Sequence, residues 1–251
     1  PDEVVALGAA VQADILAGNN TDMLLLDITP LSLGIETMGG LMDVLIPRNS
    51  KIPVRAGRQY TTQKDGQSGM RISVYQGERD LVKDNRKLAE FNLTGIPAMP
   101  AGLPKVEVNF LIDADGILKV TAKELRSGVE TSVEVKPQYG LTDEQVEQML
   151  MDSLTHAKED IQTRALVEAT TEAEQMLETT EKFITKHREL LTEEEIATTQ
   201  THMQQLRDAI AAKNKDLVQK ETEQLNDVSR PFAERVMDAA LKDAMKGKKI
   251  L

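Results

Sequence analysis

The sequence predicts a β-sandwich followed by an α-helical bundle, and three observations lead to this fold class. The first is composition: of the 15 glycines and 9 prolines in 251 residues, all but Gly247 and Pro231 lie in residues 1–140. The second is an apolar period of two over residues 27–135, which is typical of half-buried strands. The third is a helical apolar period after Gly140. Turns and strands therefore fill the first part of the chain, and helices fill the second.

The strand prediction rests on alternation along the chain. Met70, Ile72 and Val74 alternate with Arg71 and Ser73, as a strand with one buried face requires. Similar runs recur between clusters of Pro, Gly, Asn and Asp, the residues that favour turns. Roughly eight short strands at this spacing predict an antiparallel sandwich.

The helix prediction rests on capping residues and apolar stripes. Thr142 with Gln145 and Thr192 with Glu195 match the capping box, in which a hydroxyl and a side chain three residues later bond each other's free backbone N–H groups. A stripe over residues 146–184 predicts one unusually long helix. Because a single apolar stripe gains too little from burial, we expect a bundle of three or four helices.

Composition also divides the chain into four predicted parts. The apolar run Leu24, Leu25 and Leu26 before Asp27 is either an edge strand of the next domain or a docking peptide for a neighbouring domain. The parts are a terminal helix of a missing upstream domain at residues 1–18, an interdomain linker at 19–27, the β-sandwich at 28–140 and the helices at 141–251.

Several function classes are disfavoured by composition and motifs. The absence of cysteine excludes disulfides and thiolate catalysis, and the net charge of −11 disfavours nucleic acid and anionic membrane surfaces as partners. No membrane-spanning apolar stretch or signal-peptide pattern occurs, so we expect a cytoplasmic protein. His156, His187 and His202 lack metal-ligand spacing, and no phosphate-cradling glycine loop is present. From motifs alone the chain is predicted not to be an enzyme and to hold no metal.

Two functions remain open from the residues alone. A sheet with exposed loops and an unpaired edge captures extended chains, which predicts a peptide-binding module. The alternative is a constitutive assembly or adaptor module that binds its partner through the helices.

A series of sequence blocks sharpens this choice. Residues 24–40, LLLDITPLSLGIETMGG, are followed in order by IPRN at 46–49, QGER at 76–79 and DADGIL at 113–118. In content and spacing these blocks closely resemble the DnaK-type heat-shock chaperones. Residues 95–102, GIPAMPAG, are most similar to the HscA branch of that family, which serves iron-sulfur cluster assembly.

The resemblance implies a substrate-binding fragment made of the linker, a β-sandwich with a peptide cleft and a helical lid. Such a fragment holds an extended peptide segment of a client protein, and ATP in the parent protein controls opening of the lid. The ATPase domain is expected to be absent apart from its last helix, so this chain is expected to hold no cofactor, with ATP and Mg²⁺ bound by the parent.

The resemblance also implies partners. The expected client is the iron-sulfur cluster scaffold protein, and a J-type co-chaperone acts on the parent; neither nucleic acid nor a membrane is expected to bind. A general chaperone for unfolded proteins is the alternative within the family.

Aligned on the family, the peptide cleft falls on mostly apolar positions on or beside strands, for which ordinary core packing is the alternative interpretation. Lid closure is expected to use an ion pair between Arg79 and Asp160, whereas Ala101 stands where a second pair would need a partner for Glu174. The predicted peptide-binding residues are Ile35, Thr37, Met38, Tyr60, Gln63, Met70, Ile72 and Val106.

Three of these residues depart from the family pattern. Met70 replaces a smaller β-branched residue, Gln63 replaces a small residue, and Tyr60 replaces Phe. We therefore expect a narrower central pocket that favours a Pro- or Val-containing segment over a bulky anchor.

Overall fold

The structure is a computed structural model that describes residues 6–10, 13 and 27–246. The chain divides into two compact units, Pro1–Thr155 and His156–Leu251. The linker residues Leu24, Leu25 and Leu26, and most of the predicted helix at 1–18, lie outside the described residues. The predicted division into four parts therefore stays a prediction.

The first unit contains two four-stranded antiparallel sheets. One has the strand order β2-β1-β4-β5 and the other the order β3-β6-β7-β8. The strands are β1 Leu33–Thr37, β2 Leu41–Ile46, β3 Val54–Tyr60, β4 Gly69–Gln76, β5 Arg86–Thr94, β6 Val106–Ile112, β7 Leu118–Glu124 and β8 Glu130–Val135.

Both sheets contribute alternate side chains to one hydrophobic core. Leu33 and Val74 of the first sheet are buried with Val108 and Phe110 of the second, whereas Leu111, which points the other way, is 44% exposed. This is the pattern that side chains on opposite faces of a strand produce. The predicted alternation and the predicted number of strands are confirmed.

In the part of the chain that the structure describes, three α-helices follow the sheets: α1 Asp143–Lys186, α2 Glu193–Ala211 and α3 Lys215–Lys246. Both predicted capping boxes are confirmed: Gln145 N donates to Thr142 Oγ1 at 3.3 Å, and Glu195 N donates to Thr192 Oγ1 at 3.2 Å. The return bonds, from the backbone N–H of each threonine to the later side chain, are also formed. No helix within the described part of the chain is both long enough and apolar enough to cross a membrane.

The 44-residue helix α1 corrects the predicted fold class. No glycine or proline interrupts the chain between Thr142 and Lys186, so α1 runs unbroken from the first unit across the boundary at Thr155 into the second. A β-sandwich followed by a segregated helical-bundle lid is therefore wrong as the fold class. The structure has two antiparallel sheets and a long helix that the two units share.

The second unit has a hydrophobic core of its own. The C-terminal half of α1 contributes Ala173 and Leu177, α2 contributes Leu206, and α3 contributes Val218 and Leu225. Each helix supplies one stripe, so the three stripes bury one another, as the sequence predicted for helices that cannot be stable alone.

Candidate functional site

The eight sequence-predicted peptide-binding residues all lie in the first unit, but their environments differ. Ile35, Ile72 and Val106 are 4%, 2% and 0% exposed and belong to the core. Tyr60 and Met70 are partly buried and pack against that core. Thr37 and Met38 are partly exposed where β1 ends, and Gln63 is exposed in the connection from β3 to β4. Burial alone does not separate pocket from core, so these assignments stay predictions.

A gap opens between strands β1 and β4. Their ladder pairs Leu33 with Gln76, Gly34 with Tyr75 and Ile35 with Val74, and it ends there. Beyond that point, in the described residues, β1 continues in pairing with β2, and β4 continues in pairing with β5. Two strand edges that face each other are thus left without a partner strand, and such edges pair readily with an extended chain.

The turn after β1 explains why the two strands diverge. Met38–Gly40 form one 3₁₀ turn in which Gly39 and Gly40 have φ angles of 76° and 72°. Glycine adopts this left-handed region without the steric cost that a Cβ would add. The turn leads the chain into β2, so β1 cannot continue along β4.

Four predicted residues border this gap. Had the β1–β4 ladder continued in register, Thr37 would lie opposite Ile72. Met38 follows Thr37 on one side of the gap, and Met70 lies two residues before Ile72 on the other. Extrapolated in register, Thr37 and Met38 lie on the β1 side of the point where the ladder ends, and Met70 and Ile72 lie on the β4 side.

The connection between β3 and β4, which carries Gln63, is held by Gln67. The Gln67 Oε1 atom accepts from Gln63 N at 3.0 Å and from Lys64 N at 3.3 Å, while its Nε2 donates to Gly69 O at 2.7 Å. Gly102 N also donates to Thr62 O at 3.0 Å, which ties this connection to the one after β5. The loop beside the gap is therefore an ordered rim.

A polar bridge joins the two sheets next to the predicted peptide-binding residues, and sequence reasoning missed it. Tyr60 Oη donates to Asp43 Oδ2 at 2.7 Å, and Arg58 Nη1 donates to Asp43 Oδ1. Asp43 is the cross-strand partner of Ile35, and Tyr60 is that of Val106. Because directly opposite residues share a face, both partners of the bridge lie next to predicted pocket residues.

The state of the bridge follows from its surroundings. Burial, and then the bond to Asp43, raises the pKa of Tyr60, so the phenol stays a hydrogen-bond donor at neutral pH. The same carboxylate raises the pKa of Arg58. Alternation along β2 does not single out Asp43, because Met42 and Ile46 at the other positions are buried as well. Its orientation follows from its pairing with the buried Ile35.

The structure says less about the predicted lid and linker residues. Arg79 Nη2 lies 3.9 Å from Asp84 Oδ2 in the first unit, and Asp160 belongs to the second unit, so their pairing stays a prediction. The carbonyl of Asp27 accepts from Ile52 N at 2.9 Å. Among residues 6–10, 13 and 27–246, no group of three or more His, Asp or Glu side chains is arranged to hold a metal ion.

Comparison with curated proteins finds relatives that are named as HscA chaperones. The chain is 50% identical over 252 residues to a chaperone protein HscA homolog from Laribacter hongkongensis, covering 100% of this chain and 41% of that protein. It is 49% identical over 249 residues to chaperone protein HscA from Xenorhabdus nematophila, covering 98% of this chain and 40% of that protein. The chain thus spans about two fifths of the length of these relatives.

The family model described as Hsp70 protein matches residues 1–238. This match overturns the prediction that the chain is not an enzyme and lacks the family's catalytic domain. The chain belongs to the Hsp70 family.

Proposed function

We propose that this chain acts in a molecular chaperone by binding an extended peptide segment of a client protein in the gap between β1 and β4. The observation that carries the proposal is the ladder that ends at Ile35 and Val74. Past this pair, within residues 27–246, both strands keep a partner on their far side and present an edge without a partner strand to each other. An extended segment that enters between the two strands pairs with their main-chain N–H and C=O groups beyond the end of the β1–β4 ladder.

Side chains on both borders of the gap suit apolar segments. Met38 and Met70 stand on opposite sides, and methionine adapts its shape to varied apolar partners because it is unbranched and polarizable. Backbone pairing binds any extended sequence, whereas the side-chain pocket selects among sequences. A bound segment of about five to seven residues would span roughly 16–23 Å.

In the complete chaperone, ATP regulates this binding. ATP shifts a conformational equilibrium only if it binds one conformation more tightly than the other, so peptide and nucleotide affinities are coupled reciprocally. The apolar run Leu24, Leu25 and Leu26 is the segment proposed to transmit that coupling between domains.

The proposed client is the iron-sulfur cluster scaffold protein, and a J-type co-chaperone is the proposed partner of the complete protein. Two features support this choice: the relatives named HscA and the GIPAMPAG segment at residues 95–102. A general chaperone would bind many unrelated apolar peptides with similar affinity, so a peptide panel separates the dedicated role from the general one.

Fluorescent peptide titration of the 251-residue chain tests the proposal. Met70→Glu places a charge at the border of the gap, and we expect apolar peptide affinity to fall by at least about tenfold. Leu111→Glu is the matched control, because Leu111 is an exposed apolar strand residue on the outer face of the second sheet. Unchanged affinity in folded Met70→Glu would contradict the peptide site.

The second candidate is the adaptor function, which two exposed side chains on α1 favour. Met151 and Leu154 are 54% and 68% exposed and stand three residues apart, on the same side of the helix. If a client protein loses affinity for Leu154→Glu but keeps it for Met70→Glu, the helical surface is the binding site.

A further inference from the structure

We propose that Asp43 is a positioning residue for Tyr60, and that this pair sets which client side chains the peptide pocket accepts. The inference rests on the proposed peptide-binding function. Asp43 borders Ile35 in the β1–β2 ladder, and Tyr60 borders Val106 in the β3–β6 ladder. The Tyr60 Oη to Asp43 Oδ2 bond of 2.7 Å therefore joins two pairs that each contain a predicted pocket residue.

The bridge lies where the two sheets have no ladder between them. β2 is an edge strand of the first sheet and β3 an edge strand of the second. In the described residues these two strands belong to different hydrogen-bonded sheets, so main-chain pairing does not fix their separation at this edge. The Asp43 side chain supplies a fixed link between the sheets at the level of the predicted pocket.

The hydrogen bond holds an aromatic ring that would otherwise have alternatives. An aromatic side chain has several χ1 rotamers and a broad χ2 distribution, and packing against the core on one side leaves part of that freedom. Tyr60 is only partly buried where it packs against the core. The bond at its distal end selects one ring orientation, because a rigid ring has no other way to keep its hydroxyl on Asp43.

Arg58 keeps the acceptor in place. Its guanidinium bonds the other carboxylate oxygen, Asp43 Oδ1, so that the two oxygens serve two different donors. Arg58 pairs with Val108 in the β3–β6 ladder and therefore shares the inward face of β3 with Tyr60. Arg58 and Asp43 form an ion pair, and charge-assisted hydrogen bonds of this kind are stronger than neutral ones.

When the Tyr60 ring is held in one orientation, it forms a side of the peptide pocket whose position is fixed. We infer that it favours compact side chains such as Val or Pro at the centre of a bound peptide and disfavours Phe or Leu. A released ring can turn aside and admit the larger side chains. The predicted property is therefore a ratio of affinities, which is the quantity that defines specificity.

The test uses heptapeptides that differ only in the central residue, Val or Phe, titrated against the 251-residue chain. Tyr60→Phe keeps the ring and removes only its hydroxyl, and Asp43→Ala removes the acceptor. Each variant is expected to reduce the Val-over-Phe preference by roughly fivefold. The free energy of unfolding of each variant is measured in parallel. Because both changes break the same bond, Tyr60→Phe with Asp43→Ala together should change the preference no more than either alone.

Glu134→Ala is the control, since Glu134 is an exposed carboxylate paired with Lys119 on β7 and β8, away from the gap. An unchanged Val-over-Phe preference in Tyr60→Phe, or additive changes in the double variant, would overturn the inference while leaving peptide binding intact. If the unsubstituted chain binds neither heptapeptide, the proposed function itself fails, and the inference fails with it. Tyr60→Phe keeps the test decisive should Asp43→Ala fail to fold.

Discussion

The two units of the chain depart from regular structure in different places. In the first unit the departures lie inside the repeating pattern: the β1–β4 ladder stops at Ile35 and Val74, and charged Asp43 occupies an inward position. In the second unit they lie at helix ends, where Glu195 bonds both Thr192 and Arg235. Regular pairing would have filled the gap in the first unit, whereas the bonds in the second complete a helix terminus that would otherwise be unsatisfied. Interrupted pairing therefore coincides with the proposed binding region, whereas the capped ends stabilise the helices.

The largest expected effect is the loss of stability when one buried residue is truncated in the core of either unit. Phe110 of the first core and Leu206 of the second are both 0% exposed. Phe110→Ala is expected to cost about 3–5 kcal/mol and Leu206→Ala about 2–5 kcal/mol, because each leaves a cavity. The three tyrosines, Tyr60, Tyr75 and Tyr139, all lie in the first unit.

Urea denaturation followed by two probes assigns each loss to its unit. Tyrosine fluorescence should report the Phe110→Ala loss, and circular dichroism at 222 nm should report the Leu206→Ala loss. Equal shifts of both probes for both variants would show that the units unfold as one, and the comparison between them would no longer hold.

The features that the sequence predicted correctly depend on neighbours along the chain. A capping box needs residues three apart, and alternation needs residues two apart, so Thr192 with Glu195 and the inward Val108 and Phe110 were accessible from the sequence. The predicted segregation of the helices failed because the loss of glycine and proline after Gly140 marks where turns end. It does not segregate the helices from the first unit, since α1 begins in that unit and continues through Thr155.

The features that the sequence did not reveal depend on pairing between distant strands. Tyr60 and Asp43 are 17 residues apart and belong to different sheets, so their bond follows from topology. The end of the β1–β4 ladder likewise requires the register of two strands that are separated by β2 and β3 in sequence. Resemblance to a family supplied the residues around the gap, but the carboxylate that bonds Tyr60 came only from the structure.

A smaller loss of stability is expected when a hydrogen bond to a buried carboxylate of the first unit is removed. Glu124 is 1% exposed, and its Oε2 accepts from Ser127 N at 2.5 Å and from Ser127 Oγ at 2.6 Å. Ser127→Ala removes one of these donors, which is expected to destabilise the first unit by about 1–3 kcal/mol. Ser132→Ala, in an exposed position on β8, is the control and should leave urea denaturation almost unchanged.

The smallest effect concerns the carboxylate at the start of α2, where exposure weakens the interaction. Arg235, followed by the backbone of Thr192, lowers the pKa of Glu195 to about 2. Because the pKa in the folded state lies below the unfolded value of about 4.3, the contribution to stability is present above that value and is lost as the pH falls toward 2. Glu195→Gln removes the titrating group, so the melting temperature of the helices should fall less between pH 5 and pH 2 in this variant than in the unsubstituted chain. Circular dichroism at 222 nm measures the melting temperature. Adding 1 M salt should reduce the difference between the two proteins, because the Glu195–Arg235 pair is open to solvent. Parallel pH curves for the two proteins would show that Glu195 only caps the helix and that its charge adds nothing.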